Sequence, residues 1–192
     1  MEIKKTSDPK SFNEGIFQAC TYLRLVLREQ LDRRFAFALL LCDDELTVLL
    51  NDRSGLVYTK DPINIHQEPL RFIQVIAALS ILSPSQVGWD PQMKIYDPES
   101  RQSKPSYEVN IEACFFEPNL AKIHWEIDIP GPLDGLREDA ITLCALSISR
   151  SEVMCGRATL VWEVIRKQEL DIDDRKKKVG LFSIVIVFFA HL

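Results

Sequence analysis

The sequence predicts an α+β protein built from antiparallel strands and two main amphipathic helices. Two stretches, 11–31 and 68–82, carry apolar residues every three to four positions, which is the period of a helix. Short apolar runs bounded by turn residues lie between and after these stretches, and such runs are typical of strands. Because helices and strands occupy separate parts of the chain, the pattern favours an α+β fold.

The first helix is predicted to begin at Ser11, a residue type that caps helix N-termini well. Its apolar positions recur at helical spacing and would form one face. This face consists of Phe12, Ile16, Cys20, Leu23, Leu27 and Leu31.

A small antiparallel meander is predicted after the first helix, from apolar runs at 35–41, 46–50 and 56–59. The last two runs are separated by a stretch that contains Asp52 and Gly55. Asp supplies a side-chain acceptor for a tight turn and Gly the positive φ that many such turns need. We therefore interpret this stretch as a hairpin turn rather than as a functional site.

The second helix, 68–82, ends where Ser83 is followed by Pro84, because the residue before a proline disfavours helical backbone. Its apolar residues include Leu70, Ile73, Ile76, Ala77 and Leu79.

The polar, proline-containing stretch 97–106 is predicted to be an exposed loop or an internal boundary. Four more strands are predicted after it. They are the segments 107–116, 123–129, 140–148 and 160–165.

Composition narrows the class of protein. The chain has 192 residues, of which 46% are hydrophobic and 27% charged, as in ordinary folded domains. Its 23 basic and 28 acidic residues are mixed along the chain, and no basic stripe exists that would neutralise a nucleic-acid backbone. The five cysteines are odd in number and widely spaced, which indicates reduced thiols in an intracellular protein, cytoplasmic or nuclear.

No catalytic or metal site is predicted from the residues themselves. The three histidines, His66, His124 and His191, have no partner at metal-ligand spacing. The acidic run 171–174 lacks the turn glycine and distal glutamate of a calcium loop, so we interpret it as a solvated loop.

One stretch has the pattern of a nucleotide-covering loop. Gly156, Arg157, Ala158 and Thr159 form a small-residue turn before an alternating apolar strand, and such a turn lets backbone N–H groups approach phosphate oxygens. A full kinase loop has three glycines, whereas only Gly156 is present here. On the motif alone, an ordinary hairpin is therefore the favoured interpretation.

Four consecutive blocks carry a family resemblance between Arg33 and Arg166. In combination they resemble the N-terminal half of the fungal-type protein kinase family of mushroom-forming fungi. The blocks read RRFAFALLLCDDELTVLLNDRSGLVYT, EPLRFIQVIAALSILSPSQVGWDP, HWEIDIPGP and REDAITLCALSISRSEVMCGRATLVWEV.

The resemblance implies three segments: an N-terminal α+β region over 1–136, an incomplete kinase N-lobe start over 137–178, and an apolar tail over 179–192. It implies that the fold ends in a partial N-lobe-like hairpin, with Gly156, Arg157, Ala158 and Thr159 in the nucleotide-covering loop. ATP and Mg are implied for full-length members of the family.

The chain departs from the family pattern after a charged linker, QELDIDDRKKK, over residues 168–178. No lysine follows Lys178, and no H-R-D, D-F-G or A-P-E motif occurs. We therefore expect a truncated, pseudokinase-like chain that needs no cofactor, binds ATP weakly and does not phosphorylate substrates by itself. The alternative is a non-catalytic interaction or regulatory module whose protein partner is unknown.

The apolar tail, VGLFSIVIVFFAHL, admits three interpretations, in decreasing order of preference. It is the product of a truncated or mis-spliced gene, a buried strand in place of the missing one, or a marginal membrane anchor. Its apolar run of about 12 residues is shorter than the roughly 20 that span a bilayer, so membrane association is the least favoured. An uncharged β-prone run of this kind also promotes aggregation when exposed.

Overall fold

The structure is a computed structural model that describes residues 1–109, 123–130, 137–147, 159–170 and 184–189. Over these residues the protein is α+β, with two helices and with antiparallel and mixed sheets, as predicted. The described residues form two compact units, which divide between Trp89 and Asp90. The predicted segment boundaries after residues 136 and 178 follow residues outside the described part and stay predictions.

The first unit is a helix packed on a mixed sheet, with a second helix after the sheet. Its elements are β1 (Glu2–Lys4), α1 (Pro9–Glu29), β2 (Phe35–Cys42), β3 (Glu45–Asp52), β4 (Leu56–Tyr58), β5 (Ile63–Asn64) and α2 (Pro69–Ile81). Strand order in the sheet is β1-β2-β3-β4, and β5 also pairs with β3; β1 runs parallel to β2 and the other pairs are antiparallel.

The N-cap of helix α1 lies three positions earlier than predicted, at Asp8 and not at Ser11. The Asp8 carboxylate accepts the backbone N–H groups of Lys10 and Ser11 at 3.0 and 3.1 Å. Pro9 suits the first helical position because its φ is already fixed. Hydrogen bonds from the hydroxyls of Thr6 and Ser11 lower the pKa of Asp8 well below its usual range. The Ser11 side chain therefore supports the cap instead of forming it.

One face of α1 packs closely on β2. A Cβ added at Gly15 would lie 2.6 Å from Leu40 Cδ1, so the absence of a side chain there lets the helix approach the sheet. Leu31, just beyond the helix, is also buried, but Phe12, Ile16 and Cys20 of the predicted face are only half-buried. The buried helix residues are Gly15, Ala19, Leu23 and Leu27.

The predicted meander is confirmed as β2, β3 and β4. The turn between β3 and β4 has the predicted Asx bonds, because Asp52 Oδ1 accepts the N–H groups of Ser54 and Gly55 at 2.6 and 2.9 Å. The positive φ predicted for Gly55 is wrong, since among the described glycines only Gly88 has one. The side-chain bonds of Asp52 hold the bend without it.

Arg53 in this turn is buried and binds the C-terminal end of α1. Its Nη2 donates to the carbonyl oxygens of Leu27 at 3.1 Å and Leu31 at 3.4 Å. The last carbonyls of a helix lack intrahelical donors and carry partial negative charge, so a cation suits this position. Burial lowers the pKa of Arg53.

Helix α2 matches the predicted second helix but buries no residue. Leu70, Ile73 and Ile81 are 69%, 58% and 83% exposed. The apolar residues of α2 have helical spacing, but some of them are exposed to solvent.

Near the end of the first unit, a 3₁₀ turn at Pro84–Val87 is followed by Gly88, whose backbone is in the left-handed region. Gly88 has a φ of 108°, and a Cβ there would lie 1.8 Å from the carbonyl oxygen of Phe35. The Arg33 guanidinium lies 4.3 Å from the centre of the Trp89 ring, which is a cation–π contact.

The described residues of the second unit form an antiparallel sheet. Its strands are β6 (Met93–Asp97), β7 (Gln102–Lys104), β8 (His124–Pro130), β9 (Arg137–Ser147), β10 (Thr159–Arg166) and β11 (Ile184–Phe189). Their order in the sheet is β11-β10-β9-β8-β6-β7. The predicted strands at 123–129, 140–148 and 160–165 are confirmed as β8, β9 and β10.

Two predictions in this unit need correction. The stretch 97–106 is mostly exposed, as predicted, but it is not wholly a loop, because β7 lies inside it and forms a hairpin with β6. Arg101 provides the left-handed residue of that bend, with a φ of 56°. The strand predicted from Tyr107 is absent over 107–109, where a 3₁₀ turn spans Ser106–Glu108. The remainder of that predicted strand lies outside the described residues.

The apolar tail contributes β11, which pairs with β10. One of the three interpretations of the tail, a buried strand, also has a strand here, and the preference among the three stays a prediction. In the part of the chain that the structure describes, no helix is both long and apolar enough to cross a membrane.

Candidate functional site

In sequence, the predicted nucleotide-covering loop falls between β9 and β10, two neighbouring strands of the second sheet. Thr159 is the first residue of β10, whereas Gly156, Arg157 and Ala158 lie outside the described residues. Strand β9 ends at Ser147 and pairs antiparallel with β10. The strands on either side of the loop thus have the predicted arrangement, and the role of the loop itself stays a prediction.

Strand β10 is irregular close to this loop. Its pairing with β9 shifts register between Val161 and Trp162 and again between Glu163 and Val164. Register shifts of this kind increase local twist and bend the strand. The Trp162 and Val164 side chains remain buried, so the irregular strand still contributes to the core.

The best-defined polar cluster of the second unit surrounds Glu126 on β8. Glu126 Oε2 accepts hydrogen bonds from Lys167 Nζ and Ser103 Oγ, both at 2.5 Å. The Glu126 side chain is 9% exposed and that of Lys167 is 37% exposed. Three segments far apart in sequence therefore meet at one carboxylate.

Electrostatics keep this cluster ionised. Burial raises the pKa of Glu126, but hydrogen bonds from Lys167 and Ser103 and the charges of Lys167 and Lys94 outweigh it, so the net pKa is lowered. The hydrogen bond to Glu126 raises the pKa of Lys167. At neutral pH the pair is thus a carboxylate and an ammonium ion.

His124 is held by the backbone of β9. Its Nδ1 lies 2.7 Å from the carbonyl oxygen of Thr142, and because a carbonyl can only accept, Nδ1 donates. The Thr142 hydroxyl accepts the backbone N–H of Trp125 at 2.7 Å. His124 thus contributes to the pairing of β8 with β9.

A charged cleft of about 260 Å³ lies beside this cluster. Its basic residues have carboxylate partners: Arg166 Nε lies 3.0 Å from Glu138 and Arg137 Nε lies 3.0 Å from Asp128. Because these positive charges are already neutralised, the cleft is a poor phosphate site. Its lining is Arg137, Glu138, Asp139, Arg166, Lys167 and Gln168.

A second cleft, of about 270 Å³, lies in the first unit between the start of α1, strand β3 and the segment that follows β4. Its lining mixes apolar residues such as Phe12 with the charged Glu45 and Lys60. Ligand pockets usually enclose about 300 to 1,000 Å³, so this cleft is at or below the lower limit.

Side chains that bind metals do not gather into a site in the described part of the chain. Across the described ranges, no three His, Cys, Asp or Glu side chains lie close enough together to hold an ion. His191 and the acidic run 171–174 fall outside those ranges. The thiol of Cys144 donates to Glu163 at 3.2 Å, and that carboxylate raises the thiol's pKa, which makes it a weaker nucleophile.

Sequence reasoning did not find the Glu126 cluster. The strand HWEIDIP alternates apolar and polar residues, which places Glu126 on the polar face, but its main partner lies 41 residues away. Only the order of strands in the sheet brings Ser103, Glu126 and Lys167 together.

Comparison with known proteins gives one finding. A family model described as fungal protein kinase matches residues 1–178. This match includes the stretch from Arg33 to Arg166 that carries the resemblance and extends beyond it at both ends. Neither the curated proteins nor the solved structures gave a match.

Proposed function

Because the chain belongs to the fungal protein kinase family, we propose that its 192 residues form a kinase-like region that does not transfer phosphate by itself. The observation that carries this proposal is the absence of the H-R-D, D-F-G and A-P-E motifs from the sequence. In protein kinases the aspartates of the H-R-D and D-F-G motifs position the substrate hydroxyl and hold Mg, so a chain without these motifs lacks most of the transition-state stabilisation.

The Lys167–Glu126 pair is not a substitute for the kinase ion pair. In protein kinases the lysine lies on the third strand and its glutamate on a helix. Here Glu126 lies on β8, within the same sheet, and Lys167 follows β10 directly. Lys167 is therefore engaged in holding the sheet together, with its ammonium group bound to a largely buried carboxylate.

Nucleotide binding by this chain is expected to be weak. We propose Gly156, Arg157, Ala158 and Thr159 as the nucleotide-covering loop, and ATP with Mg as the cofactors of the full-length family. One such loop offers about two or three N–H contacts, each contributing about 0.5–1.5 kcal/mol. Immobilising the nucleotide costs at least about 4 kcal/mol, which offsets most or all of the roughly 1–4.5 kcal/mol from these contacts, so a dissociation constant much weaker than about 1 mM follows.

Phosphoryl transfer from labelled ATP tests the proposal. The purified chain, with Mg and a generic protein substrate, should transfer no label above a mock purification. Column fractions separate the two sources of activity, because label transfer that follows the chain's own elution profile belongs to the chain. Such transfer, with Mg dependence, would refute the proposal.

A second candidate function is a non-catalytic interaction module, and helix α2 favours it. Leu70 and Ile73 are more than half exposed on a helix that buries none of its residues. Contiguous exposed apolar side chains often mark protein interaction sites. In this case the first unit would bind a regulator or a substrate of the kinase.

A paired set of variants tests this alternative. The double variant Leu70→Gln/Ile73→Gln should lose its captured protein partners while keeping its far-ultraviolet circular dichroism spectrum. The control is Val57→Gln, at another exposed apolar position, 63% exposed on β4. Equal loss of partners from both variants would show that α2 has no specific role.

A further inference from the structure

The two outer edges of the second sheet differ sharply. Strand β7 has three residues, QSK, which include a lysine and are followed by Pro105. Short length, lysine and proline all discourage the addition of another strand. At the opposite edge, no described strand pairs with the outer side of β11.

Strand β11 has none of these protective features. Its six residues, IVIVFF, contain no charge, glycine or proline, and all have high β-propensity. Its pairing with β10 runs without a register shift from Ile184 to Phe189, unlike the pairing of β9 with β10. A regular, uncharged edge offers a row of free N–H and C=O groups to an incoming strand.

We propose that β11 is a self-association edge, at which two copies of this chain pair their β11 strands antiparallel across a two-fold axis. The result is one continuous sheet of both second units. This proposal goes beyond the kinase assignment and does not depend on nucleotide binding.

The sequence of β11 favours a second copy as the occupant. In a continuous antiparallel sheet, opposed residues lie on the same face, so the two-fold axis sets one central residue against itself. Either Ile186 opposes Ile186 or Val187 opposes Val187, and the flanking pairs join β-branched residues with one another or with Phe. Such pairs stabilise sheets, and no like charges meet.

The difference between the edges also sets the size of the assembly. Once two β11 strands have paired, both outer edges of the joined sheet are β7, which resists further addition. The association therefore stops at a dimer. A ladder of about five residue pairs is smaller than a standard interface, so we expect a dissociation constant on the order of 10 µM.

Sedimentation of the 192-residue chain over a concentration series tests the proposal. The wild type should change from monomer to dimer as its concentration rises to about 100 µM. Val187→Lys and Ile186→Lys each place like charges at or beside the axis and should weaken the dimer at least about tenfold. Gln102→Lys adds the same charge to β7 and should leave the dimer unchanged.

Mixing oppositely charged variants separates edge pairing from misfolding of β11. Equimolar Val187→Lys and Val187→Glu should recover the dimer in which the two strands carry opposite charges, as should the corresponding pair at Ile186 for the alternative register. Recovery at either position supports the pairing. A monomeric wild type at about 100 µM, association beyond a dimer, or failure to recover at both positions would overturn it.

Discussion

Replacing Glu126 with Gln removes the charge at the centre of the second sheet while keeping the shape of the side chain. The amide oxygen still accepts the Ser103 hydroxyl, but the attraction to the Lys167 ammonium is lost. A hydrogen bond to a charged group contributes about 1.5–3 kcal/mol. Because Lys167 is 37% exposed and regains water, the loss is smaller than the roughly 3–5 kcal/mol for a fully buried pair. We expect destabilisation of about 2 kcal/mol.

Urea denaturation followed by tryptophan fluorescence measures this loss, since Trp125 and Trp162 are buried in the same sheet. The matched control is Glu138→Gln, which removes the same charge from the pair with Arg166, a more exposed pair. Exposed pairs contribute about 0–1 kcal/mol, so the control should change stability by less than about 1 kcal/mol.

The pH dependence gives the sign of the effect. The lowered pKa of Glu126 means that its contribution is complete above the unfolded-state pKa of about 4.3 and disappears as the pH falls through the folded-state value. The stability difference between the wild type and Glu126→Gln should therefore be full at pH 7 and much smaller at pH 3. An equal difference at both pH values, or none at pH 7, would refute the reasoning.

Three substitutions in the first unit have definite expected outcomes, each measured by chemical denaturation. Gly88→Ala forces a Cβ against the Phe35 carbonyl at a positive φ and should cost at least about 2 kcal/mol, whereas no loss would mean that this backbone relaxes freely. Arg53→Met keeps the buried stem but leaves the end of α1 without its donor, so a loss of about 2 kcal/mol is expected, and wild-type stability would show that water replaces the guanidinium. Gly15→Ala places a methyl group against the buried Leu40, which costs about 1–3 kcal/mol, while the higher helix propensity of Ala returns about 1 kcal/mol. The net expected loss of stability is about 0–2 kcal/mol, and a more stable variant would contradict close packing of the helix on the sheet.

Local signals in the sequence predicted most of the regular structure. The meander follows from neighbouring runs joined by short turns, so its pairing needs no knowledge of distant residues. Strand β1 was not predicted, because its polar sequence EIK becomes a strand only by pairing in parallel with β2. The whole of α1 separates these two strands in the sequence. The same dependence on distant pairing explains why β6 and β7 were missed.

The helix start shows how closely related residue types compete. Asp8 and Ser11 are both good caps, and they lie three positions apart. The preference depends on Pro9, which fits the first helical position, and on Thr6 and Ser11, whose hydroxyls bind the Asp8 carboxylate. These neighbours favour Asp8 over Ser11 as the N-cap.

The candidate site was predictable only in part. The strands on either side of Gly156–Thr159 follow from their alternating apolar residues, and they have the expected order in the sheet. The Glu126 cluster depends on the placement of Ser103 and Lys167 by strands far apart in sequence. No spacing rule along the chain contains that information.

Helix α2 has a thermodynamic consequence for the first unit. Because its best-covered residues are only half-buried, its release exposes less apolar surface than the release of α1, and its opening costs less free energy than unfolding the sheet. Its amide hydrogens should exchange with deuterium through local opening, while those of α1, which rests on Leu40 and Leu49, exchange only when the unit unfolds. A protease would then cut first within residues 69–81 and leave the sheet with its packed helix intact.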